Sequence, residues 1–97
     1  MQLVLERRAE IALRSLSPTE QKQLSRAMDE IRATDPQEFY RSPKVHRFIA
    51  ASGDALYSYK GNRGLRLILS VNADTCTVEE VAHHDRIMPL LKQPRPQ

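Results

Sequence analysis

Apolar and polar residues alternate most regularly over residues 65–72, where leucines and a valine at every second position share one side of the chain. A period of two residues is typical of a β-strand with one buried face. Turn-forming stretches rich in glycine, asparagine and aspartate flank this segment, and weaker alternation lies beyond them. This pattern predicts further strands at residues 45–50, 55–60 and 76–84. The second half of the chain is therefore predicted to form an antiparallel meander.

The alternation changes within the last of these strands. Cys76 and Val78 share one face, whereas Val81 has the opposite parity. Either one side of the strand is mixed, or a β-bulge between Glu79 and Val81 resets the alternation. A bulge would also redirect the side chains that follow it.

The first half of the chain has helical periodicity after a short strand candidate at residues 2–7. A stripe of apolar residues with the spacing i, i+3, i+4, i+7 predicts a short first helix. It consists of Ala9, Ala12, Leu13 and Leu16.

A second helix is predicted to begin at Ser17, because Ser17-Pro18-Thr19-Glu20 has the pattern of a capping box with proline in the first helical position. Its apolar stripe consists of Leu24, Ala27, Met28 and Ile31. Asp35-Pro36 predicts where it stops.

The link between the two helices is so short that they should form a hairpin, whose apolar stripes need a sheet to cover them. The predicted fold is α+β, with an N-terminal β-strand and an α-helical hairpin packed on one face of a small, twisted, mainly antiparallel sheet. Residues 1–91 are predicted to form one domain, and residues 92–97, which include two prolines, a flexible tail.

Composition narrows the class of protein. The 97 residues are 40% hydrophobic and 28% charged, which is typical of one ordinary globular domain. Charged residues interrupt the apolar run near the start, so neither a signal peptide nor a membrane span is predicted. A lone cysteine, Cys76, cannot form an internal disulfide, and a reducing cytoplasm is the expected location.

Positive charge is concentrated in the middle of the chain. The net charge is +3, and residues 41–66 contain six basic residues and one acidic residue. Such a cluster is either a solvated surface or a site for an anionic partner such as nucleic acid.

Arg66 lies in the middle of the most regular strand and is predicted to project from the sheet face that the helices leave open. There it needs solvent, an anion, or Glu79 or Glu80 on the neighbouring strand. Nearby cations and aromatic rings would suit single-stranded RNA, since cations bind phosphates and rings stack on bases. The tyrosines could equally be cross-strand packing residues. The candidates for RNA binding are Lys60, Arg63, Tyr59, Tyr57 and Arg47.

His83, His84 and Asp85 follow one another where the last predicted strand ends. Successive strand residues point to opposite faces, so the two histidines cannot easily chelate one metal without His46 or Asp85 joining them. No metal or cofactor is expected. One imidazole on the open face could exchange protons near neutral pH, with Asp85 fixing its tautomer, or the histidines could simply end the strand.

The predicted order β-α-α-β-β-β and several motifs resemble the RelE/ParE superfamily of toxins from bacterial toxin-antitoxin systems. The matching segments are LRSLSPTEQKQLSRAMDEIRA in the helical hairpin, LYSYKGNRGLRLILSV in the sheet and VEEVAHHDRI at the end of the meander. In many members a strand with glycine, any residue, arginine and two hydrophobic residues precedes one that ends in valine, any residue and histidine. Here these motifs occupy residues 64–68 and 81–85, and the resemblance spans residues 1–88.

This resemblance implies a metal-free endoribonuclease that cuts messenger RNA, in many members on the ribosome. The ribose 2′-hydroxyl attacks the adjacent phosphate, one group accepts its proton, and another protonates the leaving 5′-oxygen. The matching positions imply that Arg66 holds the scissile phosphate and that His84, or His83, transfers a proton. The implied partner is a cognate antitoxin, bound in a toxin-antitoxin hetero-oligomer.

Two departures from the superfamily pattern keep other functions open. Relatives often have a tyrosine near the position of Met88, and some have lysines where this chain has Tyr57 and Tyr59. The gyrase-inhibiting ParE branch shares the fold without the ribonuclease residues. The alternatives are a ParE-like gyrase inhibitor, a degenerate toxin that acts as a protein-binding module, and a cytoplasmic α+β adaptor.

Overall fold

The computed structural model describes residues 1–83, which form one sheet with helices against one of its faces. The elements in chain order are β1 (Gln2–Leu5), α1 (Arg7–Arg14), α2 (Pro18–Arg32), α3 (Pro36–Phe39), β2 (Val45–Ile49), β3 (Ala55–Lys60), β4 (Leu65–Asn72) and β5 (Thr75–His83). The strands lie in the order β1-β5-β4-β3-β2. β1 runs parallel to β5, and the other neighbouring pairs are antiparallel. The predicted α+β class and meander are confirmed.

The second helix of the hairpin begins where its local sequence indicates. The Ser17 hydroxyl accepts a hydrogen bond from the Glu20 amide, and the Glu20 carboxylate accepts one from the Ser17 amide, each at 3.2 Å. These bonds satisfy two of the amides that the first turn of α2 leaves without helical partners. The predicted capping box is therefore present, and it fixes the start of α2.

The core lies between the helices and one face of the sheet. Leu65, Leu67 and Leu69 of β4 are buried against Leu24 and Ile31 of α2 in one apolar cluster. This burial follows from the alternation in β4, because residues two apart point to the same side of the sheet. We call the opposite side of the sheet the open face.

Of the two alternatives for β5, the structure has the β-bulge, which lies at Glu79, between Val78 and Glu80. Ile68 pairs with Glu80 and Leu69 pairs with Val78, so Glu79 has no opposite residue in β4. The Ser70 hydroxyl donates to the Glu79 carboxylate at 2.7 Å. The extra residue places Val81 on the same side of the sheet as Val78, which explains the change of parity in the sequence.

Gly61 lies where the turn between β3 and β4 touches α2. A Cβ atom at this position would overlap Cδ2 of Leu24, which is fully buried, so the leucine or the turn would have to shift within the core. We therefore expect Gly61→Ala to lower the free energy of unfolding by about 1–3 kcal/mol, as overpacking of a filled core typically does. Urea unfolding monitored by circular dichroism measures this change. Gly64→Ala is the control, because Gly64 is exposed and its Cβ would meet only Asn62 Oδ1 at 3.9 Å; equal losses in both variants would contradict the role of the helix contact.

Candidate nucleic-acid interface

Arg66 lies on the open face, as the alternation in β4 predicts. Its neighbours Leu65 and Leu67 are buried under the helices, while Arg66 pairs with Lys60 of β3 and with Ala82 of β5. Directly paired residues share a face of the sheet, so Lys60 and Arg66 project together. They form a row of two adjacent cations at the end of the sheet nearest the β3–β4 turn.

The guanidinium of Arg66 is anchored to the main chain of that turn. Its Nη1 donates to the carbonyl oxygens of Asn62 at 2.7 Å, Leu65 at 3.0 Å and Arg63 at 3.4 Å. Within residues 1–83, Nε and Nη2 donate no hydrogen bond to the protein. Burial lowers the pKa of Arg66, although an arginine stays charged at neutral pH. The free side of the fork is therefore a cationic donor pair suited to phosphate oxygens.

Pairing of Arg66 with an acidic neighbour, the alternative that the sequence left open, does not occur in the described part of the chain. Ion pairs within residues 1–83 join Arg32 to Asp29 and Lys44 to Glu30. Glu79 instead binds the Ser70 hydroxyl. No protein carboxylate within those residues thus neutralises the arginine.

Two exposed cations accompany Arg66. Lys60 ends β3, and Arg63 lies in the turn whose carbonyl oxygens hold the guanidinium. We call Lys60, Arg63 and Arg66 the turn-end cluster. Its three positive charges lie at one end of the sheet, where they raise the local concentration of anions.

The predicted histidines take different positions relative to this cluster. His83 pairs with Leu65, so the bulge directs it to the side of the sheet that the helices cover, although it is exposed at the end of β5. His84 and Asp85 lie outside the described residues. His46 is an exposed imidazole on the open face, opposite Ser58, and the sequence had suggested it only as a metal ligand. The sequence could have indicated this position, because His46 directly follows the core-facing Val45 and successive strand residues point to opposite faces.

Tyr59 and Tyr57 do not lie beside Arg66. Tyr59 is buried, its ring stacks on Phe39 with centroids 6.3 Å apart, and its hydroxyl donates to the Glu30 carboxylate at 3.3 Å. Tyr57 packs edge-on against Phe39. Both residues have the parity of the core-facing side of β3, opposite to that of Lys60. The structure therefore favours the packing alternative for both rings and leaves no open face of Tyr59 for a base.

Arg47, the other predicted RNA contact, shares the side of these tyrosines because it pairs with Tyr57. The aromatic residue that the edge strand β2 does present on the open face is Phe48, which pairs with Leu56 and is half-buried. Phe48 was not among the residues predicted from the sequence. Strand parity could have identified it, since Phe48 is two residues from His46 on the same face.

The middle of the open face is less accessible than its ends. Ile68 is 6% exposed and Ser58 is 2% exposed, although both point away from the helices. Accessible polar groups of this face include Lys60 and Arg66 at the turn end, Asn72 at the other end of β4, His46 on β2 and Glu80 on β5. A ligand therefore reaches charged groups of this face most directly at the turn end.

Solved structures share this arrangement of sheet and helices. The archaeal RelE-RelB complex from Pyrococcus horikoshii OT3 superposes with a TM-score of 0.64 at 20% sequence identity, covering 88% of this chain and 96% of that chain. The protein has a RelE-like fold. The conserved hypothetical protein HP0894 from Helicobacter pylori has a TM-score of 0.58 at 13% identity over 88% of this chain and 96% of its own. A copper-bound mutant toxin from the same organism has a TM-score of 0.50 at 9% identity over 90% and 98%.

No protein-family model and no curated protein matches this sequence. The similarity to the RelE fold therefore rests on the structure, since the sequence identity to these solved structures is 20% or less. Within residues 1–83 of this RelE-like fold, no group of three or more histidine, cysteine, aspartate and glutamate residues could hold a metal ion. Among the same residues, no helix has the length and hydropathy needed to cross a membrane.

The buried Tyr59 hydroxyl and Cys76 thiol in the core of this RelE-like fold should make the protein less stable at alkaline pH. Burial, reinforced by the charge of Glu30, raises the pKa of Tyr59 to about 12, and burial raises the pKa of Cys76 to about 12. The unfolded chain releases these protons near their ordinary pKa values, about 10 and about 8.5. Stability is therefore complete below about pH 8 and declines as the pH rises toward 12.

Urea midpoints at pH 8 and at pH 11 measure this decline. Tyr59→Phe removes only the titrating hydroxyl, so the variant should lose less stability than the parent between the two pH values. An identical decline in parent and variant would show that Tyr59 does not contribute to it.

Proposed function

We propose that this chain is the toxin of a toxin-antitoxin pair and that it is an endoribonuclease that cuts messenger RNA. The observation that carries the proposal is the position of Arg66. It lies on the open face next to Lys60 and Arg63, and within residues 1–83 it has no acidic partner and its Nε and Nη2 donate no hydrogen bond to the protein. The RelE-like fold and the motifs at residues 64–68 and 81–85 support the same function.

The proposed reaction is a transfer within the RNA strand. The 2′-oxygen of one ribose forms a bond to the adjacent phosphorus as the bond to the 5′-oxygen breaks, which leaves a 2′,3′-cyclic phosphate and a 5′-hydroxyl. Negative charge increases on the phosphate oxygens in the transition state. Arg66 would donate to these oxygens, and Lys60 and Arg63 would add positive potential, which is the kind of contribution that usually dominates catalysis.

Two proton transfers accompany this step, one from the 2′-hydroxyl and one to the leaving 5′-oxygen. His84 remains the predicted group for them, with His83 as the alternative, because an imidazole exchanges protons near neutral pH. His46 and Glu80 are further candidates, since both lie on the same face as Arg66. Replacing each in turn and recording the pH dependence of cleavage would assign the roles.

We also propose that a small protein antitoxin binds this chain in the cytoplasm and that the two form a hetero-oligomer. The similar archaeal structure is a RelE-RelB complex. A basic surface such as the turn-end cluster favours an acidic partner segment. Co-expression with the neighbouring open reading frame, followed by affinity purification of the tagged toxin, should recover a small acidic protein in fixed proportion.

The ribonuclease proposal is tested by incubating the purified protein with a defined message, alone and on translating ribosomes. Truncated products with 5′-hydroxyl ends, mapped by primer extension, are the expected result. An intact message at high molar excess of protein, with and without ribosomes, would overturn the proposal.

A gyrase-inhibiting toxin is the second candidate. The position of His83 on the helix-covered side favours it, because within residues 1–83 that leaves Arg66 without an imidazole from β5 on its own face. Loss of gyrase supercoiling activity in the presence of the protein, with messages left whole, would support this candidate and exclude the first.

A further inference from the structure

Asn62 occupies the β3–β4 turn with every polar group of its side chain in use. Its Oδ1 accepts hydrogen bonds from the amides of Gly64 at 2.8 Å and Leu65 at 2.7 Å, and its Nδ2 donates to Gln23 Oε1 at 2.8 Å. The first two bonds fix the course of the turn, as asparagine side chains often do. The third ties the turn to α2.

The main-chain carbonyl of Asn62 is also the shortest contact of Arg66. Nη1 of the arginine lies 2.7 Å from this oxygen, compared with 3.0 Å from the carbonyl of Leu65 and 3.4 Å from that of Arg63. These acceptors belong to the segment that the Asn62 side chain holds in place. The direction of the guanidinium thus depends on the conformation of the turn.

We infer that Asn62 is a positioning residue for Arg66. It fixes the carbonyl oxygens that bind Nη1, and this leaves Nε and Nη2 directed to the open face, where a phosphate can approach. The inference rests on the proposed function, since it assigns Arg66 to the phosphate. It adds a residue that touches no substrate and acts through the arginine.

Preorganisation gives this arrangement its value in catalysis. An arginine side chain has many rotamers, and each must be restricted before its donors meet the transition state. An anchor at Nη1 restricts them in advance, and among residues 1–83 it leaves Nε and Nη2 without a protein acceptor. Loss of the anchor should lower the rate of the chemical step more than the affinity for RNA, because Lys60 and Arg63 would continue to attract the backbone.

Three variants separate this role from a general loss of stability. Asn62→Ala removes all three side-chain hydrogen bonds and should lower kcat for RNA cleavage about tenfold, with KM changed little. Asn62→Asp keeps an acceptor for Gly64 and Leu65, so it should restore most of the rate. Gln23→Ala breaks only the bond to α2 and is the matched control, with a smaller expected effect. Thermal unfolding of each variant shows whether the fold is intact at the assay temperature.

A double-mutant comparison gives the decisive result. If Asn62 acts through Arg66, Asn62→Ala should have no further effect on cleavage in a protein that already carries Arg66→Ala. A tenfold loss in both backgrounds, or a wild-type rate for Asn62→Ala, would overturn the inference.

The failure of this inference can be distinguished from the failure of the proposed function. NMR of the arginine side chain in the intact protein should show a slowly exchanging Nη resonance of Arg66 that is lost in Asn62→Ala and retained in Asn62→Asp. If the wild-type protein cuts no RNA, the proposed function fails, and the resonance still tests the anchor. If the resonance is unchanged in Asn62→Ala, the positioning role fails regardless of the activity.

Discussion

Under the proposed ribonuclease function, Arg66→Ala should reduce the rate of RNA cleavage by about 10²–10³-fold while the fold stays intact. This is the typical loss when one preorganised donor to a developing negative charge is removed. The fold should survive because the side chain is only half-buried and binds carbonyl oxygens that water can reach after its removal. Single-turnover cleavage of a defined message measures the chemical step directly, and circular dichroism checks the fold.

Two further arginine variants make the comparison specific. Arg26→Ala removes the same charge from the exposed side of α2 and should leave the cleavage rate unchanged. Arg66→Lys keeps the charge but loses the planar fork, so its rate should lie between those of the parent and Arg66→Ala. Cleavage by Arg66→Ala at the parental rate would remove the arginine from the mechanism.

Phe39→Ala should lower the free energy of unfolding by about 3–5 kcal/mol, the usual cost of truncating a buried aromatic residue. The ring is 1% exposed, stacks on Tyr59 and meets Tyr57 edge-on, so truncation leaves a cavity bounded by aromatic rings. Equilibrium unfolding in urea measures the loss. A marginal domain of this size would retain little stability after it.

The neighbouring Tyr40 provides the control for Phe39. Tyr40 also contacts Phe39 edge-on, with ring centroids 5.5 Å apart, but it is 50% exposed. Tyr40→Ala should therefore cost less than half as much stability as Phe39→Ala. Equal costs would show that the stability depends on the aromatic contact itself and not on burial.

Local patterns predicted most of the elements because most of them have local causes. The alternation defined β3 and β4 with the bounds that the structure has, and the capping box defined the start of α2. The short helix α3 was not predicted. Its four residues are too few to show a helical period, and only its contact with the tyrosines of β3 reveals that Phe39 belongs to the core.

The candidate site was predictable only in part, and strand parity explains the difference. Arg66 was placed correctly because its strand alternates without interruption. Tyr57 and Tyr59 were grouped with Lys60 by proximity in sequence, yet their parity places them on the other side of β3. His83 is different because the bulge interrupts its strand. Regular alternation from the core-facing Val78 would direct His83 to the open face, but the extra residue Glu79 reverses the alternation and directs it to the helix-covered side.

The pairing of β1 with β5 has a consequence for how the protein forms during translation. Gln2 pairs with Thr75, so β1 cannot form its hydrogen bonds to β5 until nearly the whole described chain has been synthesised. Closing so long a loop is entropically costly and typically slows folding, whereas the helical hairpin depends only on nearby residues and can form early. A nascent chain that has not yet released β5 from the ribosomal exit tunnel therefore cannot pair β1, and the sheet is completed only after β5 has emerged.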